Sequence, residues 1–150
     1  MSVRFIAGVV ALIVAFTTPV FADQPAAAGR VKVVSGEAFI VRDGRAIAAR
    51  PGQPVFASDT LRTGAAGTIG VTMKDATRLS LGPASELRIL RFVYAPESGG
   101  LAMVIKFVRG AAAYVSGRIA KLAPDAIRLE TPAAIVGVRG TTLAIRVKTR

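Results

Sequence analysis

Any reactive chemistry in this chain has to be built from carboxylates, hydroxyls and arginines, because its 150 residues include no His and no Cys. Without His, the commonest general base and transition-metal ligand is missing. Without Cys there is no thiol nucleophile, disulfide or iron–sulfur ligand. A Ser-His-Asp triad or a zinc site therefore cannot be assembled within the chain. The carboxylates beyond Asp23 are Glu37, Asp43, Asp59, Asp75, Glu86, Glu97, Asp125 and Glu130. None forms a close pair in sequence, and most stand beside turn residues, where Asp is a turn former. Asp59-Thr60, with Thr63-Gly64 nearby, is a faint echo of an aspartic-protease D-T-G. The spacing is wrong and a second such motif is missing, so Asp59 reads as a turn aspartate. There is no phosphate loop, no G-x-S-x-G and no S-x-x-K. Tyr94 and Tyr114 could stack on a sugar, but a single Tyr in a strand more often packs in a core or at an edge. The expectation is a non-enzymatic protein with no cofactor and no metal.

One arginine stands apart. In E-T-P-A-A-I-V-G-V-R-G-T-T-L-A-I-R-V, residues 130–147, Gly137 and Gly140 bracket Val138 and Arg139. Thr131-Pro132 is a turn dipeptide, since Pro fixes its own φ and pushes the preceding residue out of the helical region. Leu143, Ile145 and Val147 alternate with Ala144, Arg146 and Lys148, the period of a half-buried strand. The glycines predict a bulge or tight corner where backbones pass closely. Arg139 is the residue there with a binding role open to it. The favoured alternative is internal, with its planar donors serving turn carbonyls.

The elements that would hold these residues are short strands. Val31 and Val33 form the first, and Phe39 and Val41 alternate in the next. Asp43-Gly44 is a two-residue hairpin signal, because a type I′ turn needs positive φ at both positions. Ile69, Val71 and Met73 share one face, Lys74 to Thr77 is a turn, and Leu79 and Leu81 continue the apolar face. Gly82 to Ser85 turns again before Leu87 and Ile89. The phase slips near Leu90, which predicts a bulge. Leu101 to Phe107 is a strand that Gly110 ends, and Ala111 to Val115 is a separate one. Ile119 to Leu122 is either a strand or a single helical turn. No segment after the N-terminus sustains a 3.6-residue period, and turn signals recur about every ten residues. The fold class is all-β, either a short solenoid-like stack or a β-sandwich.

Residues 1–22 have the pattern of an export signal: Arg4, an apolar run from Phe5 to Phe16, the breaker Thr17-Thr18-Pro19, and Val20-Phe21-Ala22 before a cleavage point at Asp23. The run is shorter than the roughly 20 residues a membrane-spanning helix needs. No stable membrane span is expected after cleavage, and the product is periplasmic or secreted. Residues 23–28, rich in Pro and Ala, read as a disordered leader, and residues 29–150 as one domain. The net charge is +11, with Arg4 the only charge in the leader. Such a surface favours anionic partners. The cations are scattered singly (Arg42, Arg45, Arg50, Arg62, Lys74, Arg78, Arg88, Arg91), so a solvated basic surface with no dedicated ligand is preferred over a polymer-binding track. Nucleic acid is not an expected partner of an exported chain.

Five motifs in order carry a resemblance: G-R-V-K-V-V-S-G at 29–36, D-T-L-R-T-G-A-A-G at 59–67, V-T-M-K-D-A-T-R-L-S-L-G-P-A-S-E-L at 71–87, V-R-G-A-A at 108–112, and T-P-A-A-I-V-G-V-R-G-T at 131–141. Together they resemble the FecR-type domain, named for the ferric-citrate regulator of Gram-negative bacteria. The resemblance covers nearly all of 29–147. It implies an extracytoplasmic β-rich domain, a twisted solenoid-like stack. In the regulators this domain receives a signal from an outer-membrane transducer and passes it to a sigma factor. It marks Gly64, Gly67, Asp75, Gly82, Pro83, Thr131, Pro132, Gly137, Gly140 and Thr141 as signature residues with structural roles. The chain departs from the regulators in lacking a cytoplasmic sigma-binding segment, in a membrane segment that looks cleavable, and in ending almost at the last strand. The expected function is therefore a stand-alone sensory or adaptor domain that binds an envelope protein, for instance by adding a strand at an exposed edge. The alternatives are a binder of an anionic envelope polymer, such as lipopolysaccharide or an acidic glycan, and a structural envelope protein.

Overall fold

The computed structural model describes residues 19, 20, 22–139 and 142–148. The expected export signal lies almost wholly outside the described residues, as do Gly140 and Thr141. Twelve strands follow one another: β1 (Gly29–Ser35), β2 (Ala38–Arg42), β3 (Arg45–Ala48), β4 (Pro54–Val55), β5 (Thr60–Thr63), β6 (Thr68–Met73), β7 (Arg78–Leu81), β8 (Glu86–Ala95), β9 (Gly100–Val115), β10 (Ile127–Glu130), β11 (Ile135–Val136) and β12 (Thr142–Val147). One five-residue helix, α1 (Arg118–Leu122), and two single turns of 3-10 helix are the other elements among the described residues. The all-β reading holds, and the strands form a curled, half-barrel sheet that is antiparallel almost throughout. Ile119 to Leu122 resolves as helix. The parallel exception is β10 on β9, reached through α1 and the adjoining turn.

The alternation read from the sequence sets the faces. In β6 each of Ile69, Val71 and Met73 is buried, and their neighbours are half-exposed. Leu79 and Leu81 of β7, Leu87 and Ile89 of β8, and Met103, Ile105 and Phe107 of β9 point the same way. Each such aliphatic side chain contributes on the order of 1.5–3 kcal/mol by leaving water. The packed domain starts at Ala28, one residue earlier than expected: it is buried, and its N–H donates to Val55 O at 2.7 Å.

β9 is the spine. Its first part pairs with β8 and β10, its second with β7 and β12. Gly110 was expected to end a strand here, and instead the strand runs on for 16 residues. The glycine bends it rather than breaking it. Its φ is +81°, and a Cβ there would run into Ser85, whose Cα is only 2.6 Å away. Glycine takes that left-handed conformation at little cost. The bulge expected near Leu90 is present, with the register shifting between Ile89 and Arg91. Asp43 (φ 50°) and Gly44 (φ 75°) form the expected hairpin turn between β2 and β3.

Candidate binding surface

The signature residues that the structure describes fall into two internal clamps and one exposed loop. In the first clamp the turn Gly64–Gly67 closes on residue 37. Gly64 N–H donates to Glu37 O at 2.8 Å, and Gly67 N–H to Gly64 O at 3.1 Å. A Cβ on Gly67 would collide with the Glu37 carbonyl, so this position needs glycine for room. Beside it, Thr63 Oγ1 donates to Gly82 O at 2.6 Å and accepts from Ser85 N–H at 2.9 Å. Ser85 Oγ donates to Pro83 O and accepts from Ala111 N–H, both at 2.9 Å. The G-P-A-S segment is thus tied at once to β5 and to β9 just past its bend. Gly82 needs no special room: a Cβ there would make ordinary contact with Ala111 at 3.5 Å.

The second clamp centres on Asp75, which is fully buried. Its carboxylate accepts from Thr77 N–H (3.1 Å), Thr77 Oγ1 (2.7 Å) and Ile119 N–H (3.2 Å). Arg118 N–H donates to the Asp75 carbonyl at 2.7 Å. One turn residue therefore receives the start of α1, which explains an Asp where a hairpin alone would accept Asn or Gly. Above it lies Tyr114, buried in the core. Its hydroxyl sits by Ser116 and Thr77 but finds no partner of good geometry among the described residues. Burial pushes the phenol pKa up from 10.0; the contact with Ser116 draws it back in part, and the Asp75 charge adds to the rise.

Asp59 is also more than a turn former. It is buried, and Arg42 grips it with two hydrogen bonds of 2.8 and 2.7 Å while Phe56 N–H donates to it at 2.8 Å. The Arg42 guanidinium lies 4.4 Å from the Phe56 ring centroid. The Asp59 hydrogen bonds raise the Arg42 pKa, partly offset by desolvation. This is a structural ion pair, with no second carboxylate beside it.

The exposed loop is the closing motif. Thr131 N–H donates to Ala134 O at 2.8 Å, and Thr131 Oγ1 accepts from Ala134 N–H at 3.1 Å, so Thr131-Pro132 makes the expected turn between β10 and β11. Two grooves flank the loop. One is lined by Thr131, Pro132, Arg146 and Val147, the other by Asp125, Arg128, Gly137 and Arg139. Gly137 has no left-handed φ, and a Cβ would meet nothing within 4 Å, so no close approach calls for glycine there. Arg139 is exposed and makes no hydrogen bond or ion pair among the described residues.

In the wall of the second groove, Ile135 is 68% exposed. In sequence it belongs to a short apolar run, where an isoleucine reads as core. β11 pairs with β10 alone among the described residues, through Leu129↔Val136 and Glu130↔Ile135. Since Thr131 N–H bonds to Ala134 O, the next antiparallel pair is a non-hydrogen-bonded one. The backbone N–H and C=O of Ile135 therefore face the open side of the sheet.

A family model described as FecR protein matches residues 59–150, more than half of the chain. The chain belongs to the FecR family. Comparisons with curated proteins and with solved structures found no match. The matched segment begins at Asp59, and it takes in the second clamp around Asp75 and the closing loop. β1 to β4 precede it in the chain but complete the same sheet, through β1 on β6 and β2 on β5. FecR proteins are regulatory and sensory components of the envelope. Among the described residues no helix is long and apolar enough to cross a membrane.

Proposed function

We propose that this FecR chain is a non-enzymatic, exported sensory or adaptor domain that recognises an extended segment of an envelope protein at its closing loop. The observation that carries this reading is Ile135: a large apolar side chain in solvent, on a two-residue strand whose backbone donor and acceptor face outward. An incoming strand would satisfy those groups and cover the isoleucine. Arg139 in the adjoining groove supplies a cation for an acidic residue of the same segment. The two internal clamps hold the sheet on which the loop rests. In this reading residues 1–22 direct export and are removed, and the domain acts in the periplasm or outside the cell.

The decisive variant is Ile135→Pro. Proline is tolerated at an open edge because the N–H it removes makes no ladder bond. The melting temperature should stay within a few degrees of wild type, while co-purification of the envelope partner is lost. Arg139→Ala should weaken co-purification at unchanged stability. Unimpaired partner recovery by a folded Ile135→Pro protein would overturn the proposal.

A further inference from the structure

On β5, β8 and β9, three arginines that lie far apart in sequence meet over one carboxylate. Arg62 of β5, Glu86 of β8 and Arg109 of β9 are direct cross-strand neighbours. Arg88 stands one row along, opposite Lys106. Glu86 is only 8% exposed in its side chain, whereas Arg62, Arg88 and Arg109 are 42%, 51% and 43% exposed. The carboxylate is reached by Arg88 Nη2 at 3.3 Å, Arg62 Nε at 3.5 Å and Arg109 Nε at 3.7 Å.

Only the Arg88 contact is a hydrogen bond. Arg62 Nε is buried against Glu86 yet has no hydrogen-bond partner. A single negative charge serves three positive ones, so the group keeps a surplus of two. Arg62 and Arg109 approach Glu86 through Nε, and their side chains remain about two-fifths exposed. The central carboxylate lets three guanidiniums stand close together despite their repulsion, and it fixes their direction. Planar guanidinium forks presented in this way match carboxylate and phosphate oxygens two at a time.

The neighbour of Arg62 on its other side is Phe39, half-buried on the same face. Phe39 therefore stands in the same cross-strand row as Arg62, Glu86 and Arg109. Rows along a strand are about 7 Å apart and strands about 5 Å apart, so Arg88 and Lys106 extend the cationic area by one row, which ends at Glu130 beside Lys106 on β10. An apolar ring beside forked cations suits a sugar that carries an acidic group: the ring takes the apolar face of the pyranose and the arginines take the charge.

We infer that this face is a binding site for an anionic glycan, with Arg62, Arg88 and Arg109 as the oxyanion contacts and Phe39 as the sugar platform. None of these residues lies in the closing loop, so the inference stands whether or not a protein binds there.

The test is titration calorimetry of the purified domain with polygalacturonate, its neutral methyl ester, and a phosphorylated mannan, at low and at high salt. Arg62→Gln and Arg109→Gln are made singly, so that Glu86 keeps two cationic neighbours. Phe39→Leu keeps apolar volume and removes the ring. Arg30→Gln, elsewhere on the surface, is the control of equal charge change. Each arginine variant should lose at least about tenfold in affinity, which corresponds to about 1.4 kcal/mol. Phe39→Leu should lose several-fold, the control less than twofold, and the methyl ester should not bind. The acidic polymer that binds more tightly, carboxylate or phosphate, identifies the acidic group. No binding by either acidic polymer at low salt, or equal losses for Arg30→Gln and the site variants, would overturn the inference.

Discussion

Replacing Asp75 with Ala removes one acceptor and strands three donors. Thr77 N–H, Thr77 Oγ1 and Ile119 N–H all bond to that carboxylate at 2.7 to 3.2 Å in a fully buried position. The Thr77 hydroxyl can rotate to another acceptor, but the two backbone N–H groups cannot. Each buried donor left without a partner costs about 1–3 kcal/mol, so the total is about 4 kcal/mol. That is a large part of the roughly 5–15 kcal/mol that keeps a domain folded. For a domain of this size it lowers the melting temperature by roughly 10–20 °C. The loss is local first, because α1 is held at its start by the Asp75 side chain and carbonyl. Calorimetric melting should therefore be paired with amide hydrogen exchange. Ile119 should exchange faster than the β6 and β7 amides well below the melting point. Asp75→Asn keeps one oxygen acceptor and turns a donor toward the others, so it should lose about half as much. An alanine variant that melts within about 3 °C of wild type would refute the view of Asp75 as the anchor of α1, given what stranded donors cost.

Three further outcomes follow from the structure. Gly110→Ala should cost at least about 3 kcal/mol, from a left-handed φ and a clash with Ser85, read as a drop in the denaturant midpoint. Gly137→Ala should stay within about 0.5 kcal/mol of wild type, since its Cβ enters open space; a large loss would show that the closing loop is packed differently. Tyr114 sets an alkaline limit: its folded pKa is raised above 10.0, so the unfolded chain releases the phenolic proton first. Its contribution to stability is full below pH 10 and declines as the pH rises from there through the folded pKa. Tyr114→Phe should flatten that decline in denaturant titrations at stepped pH, and an unchanged slope would count against the buried phenol.

Local patterning made much of the sheet legible. The Asp43-Gly44 turn, the alternation through Met73 and Leu81, and the slip at Leu90 are set by neighbours in sequence, and the structure follows them. Gly110 shows where local reading stops. A glycine between two apolar runs looks like a terminator, and only the closeness of Ser85 reveals a bend in a continuous strand. Asp59 and Asp75 read as turn formers because their partners, Arg42 and Ile119, are supplied by other elements. The arginine cluster was hidden for the same reason. Arg62, Arg88 and Arg109 are isolated in sequence and become one group through the register of β5, β8 and β9. Arg139 and Ile135 lie in a segment whose residue types were visible but whose exposure was not, since an alternating run cannot say which edge of a sheet is left open.

The most direct test of the proposed function is site-specific photo-crosslinking in the living envelope, with a photoreactive residue at position 135 and, as controls, at position 43 in the β2–β3 turn and at position 47 on the opposite edge strand. A FecR domain that takes an extended protein segment at its closing loop gives one discrete adduct from position 135, of the same protein in repeated experiments, and none from 43 or 47. Adducts from the two control positions with none from 135 would contradict the assignment and place recognition elsewhere on the sheet.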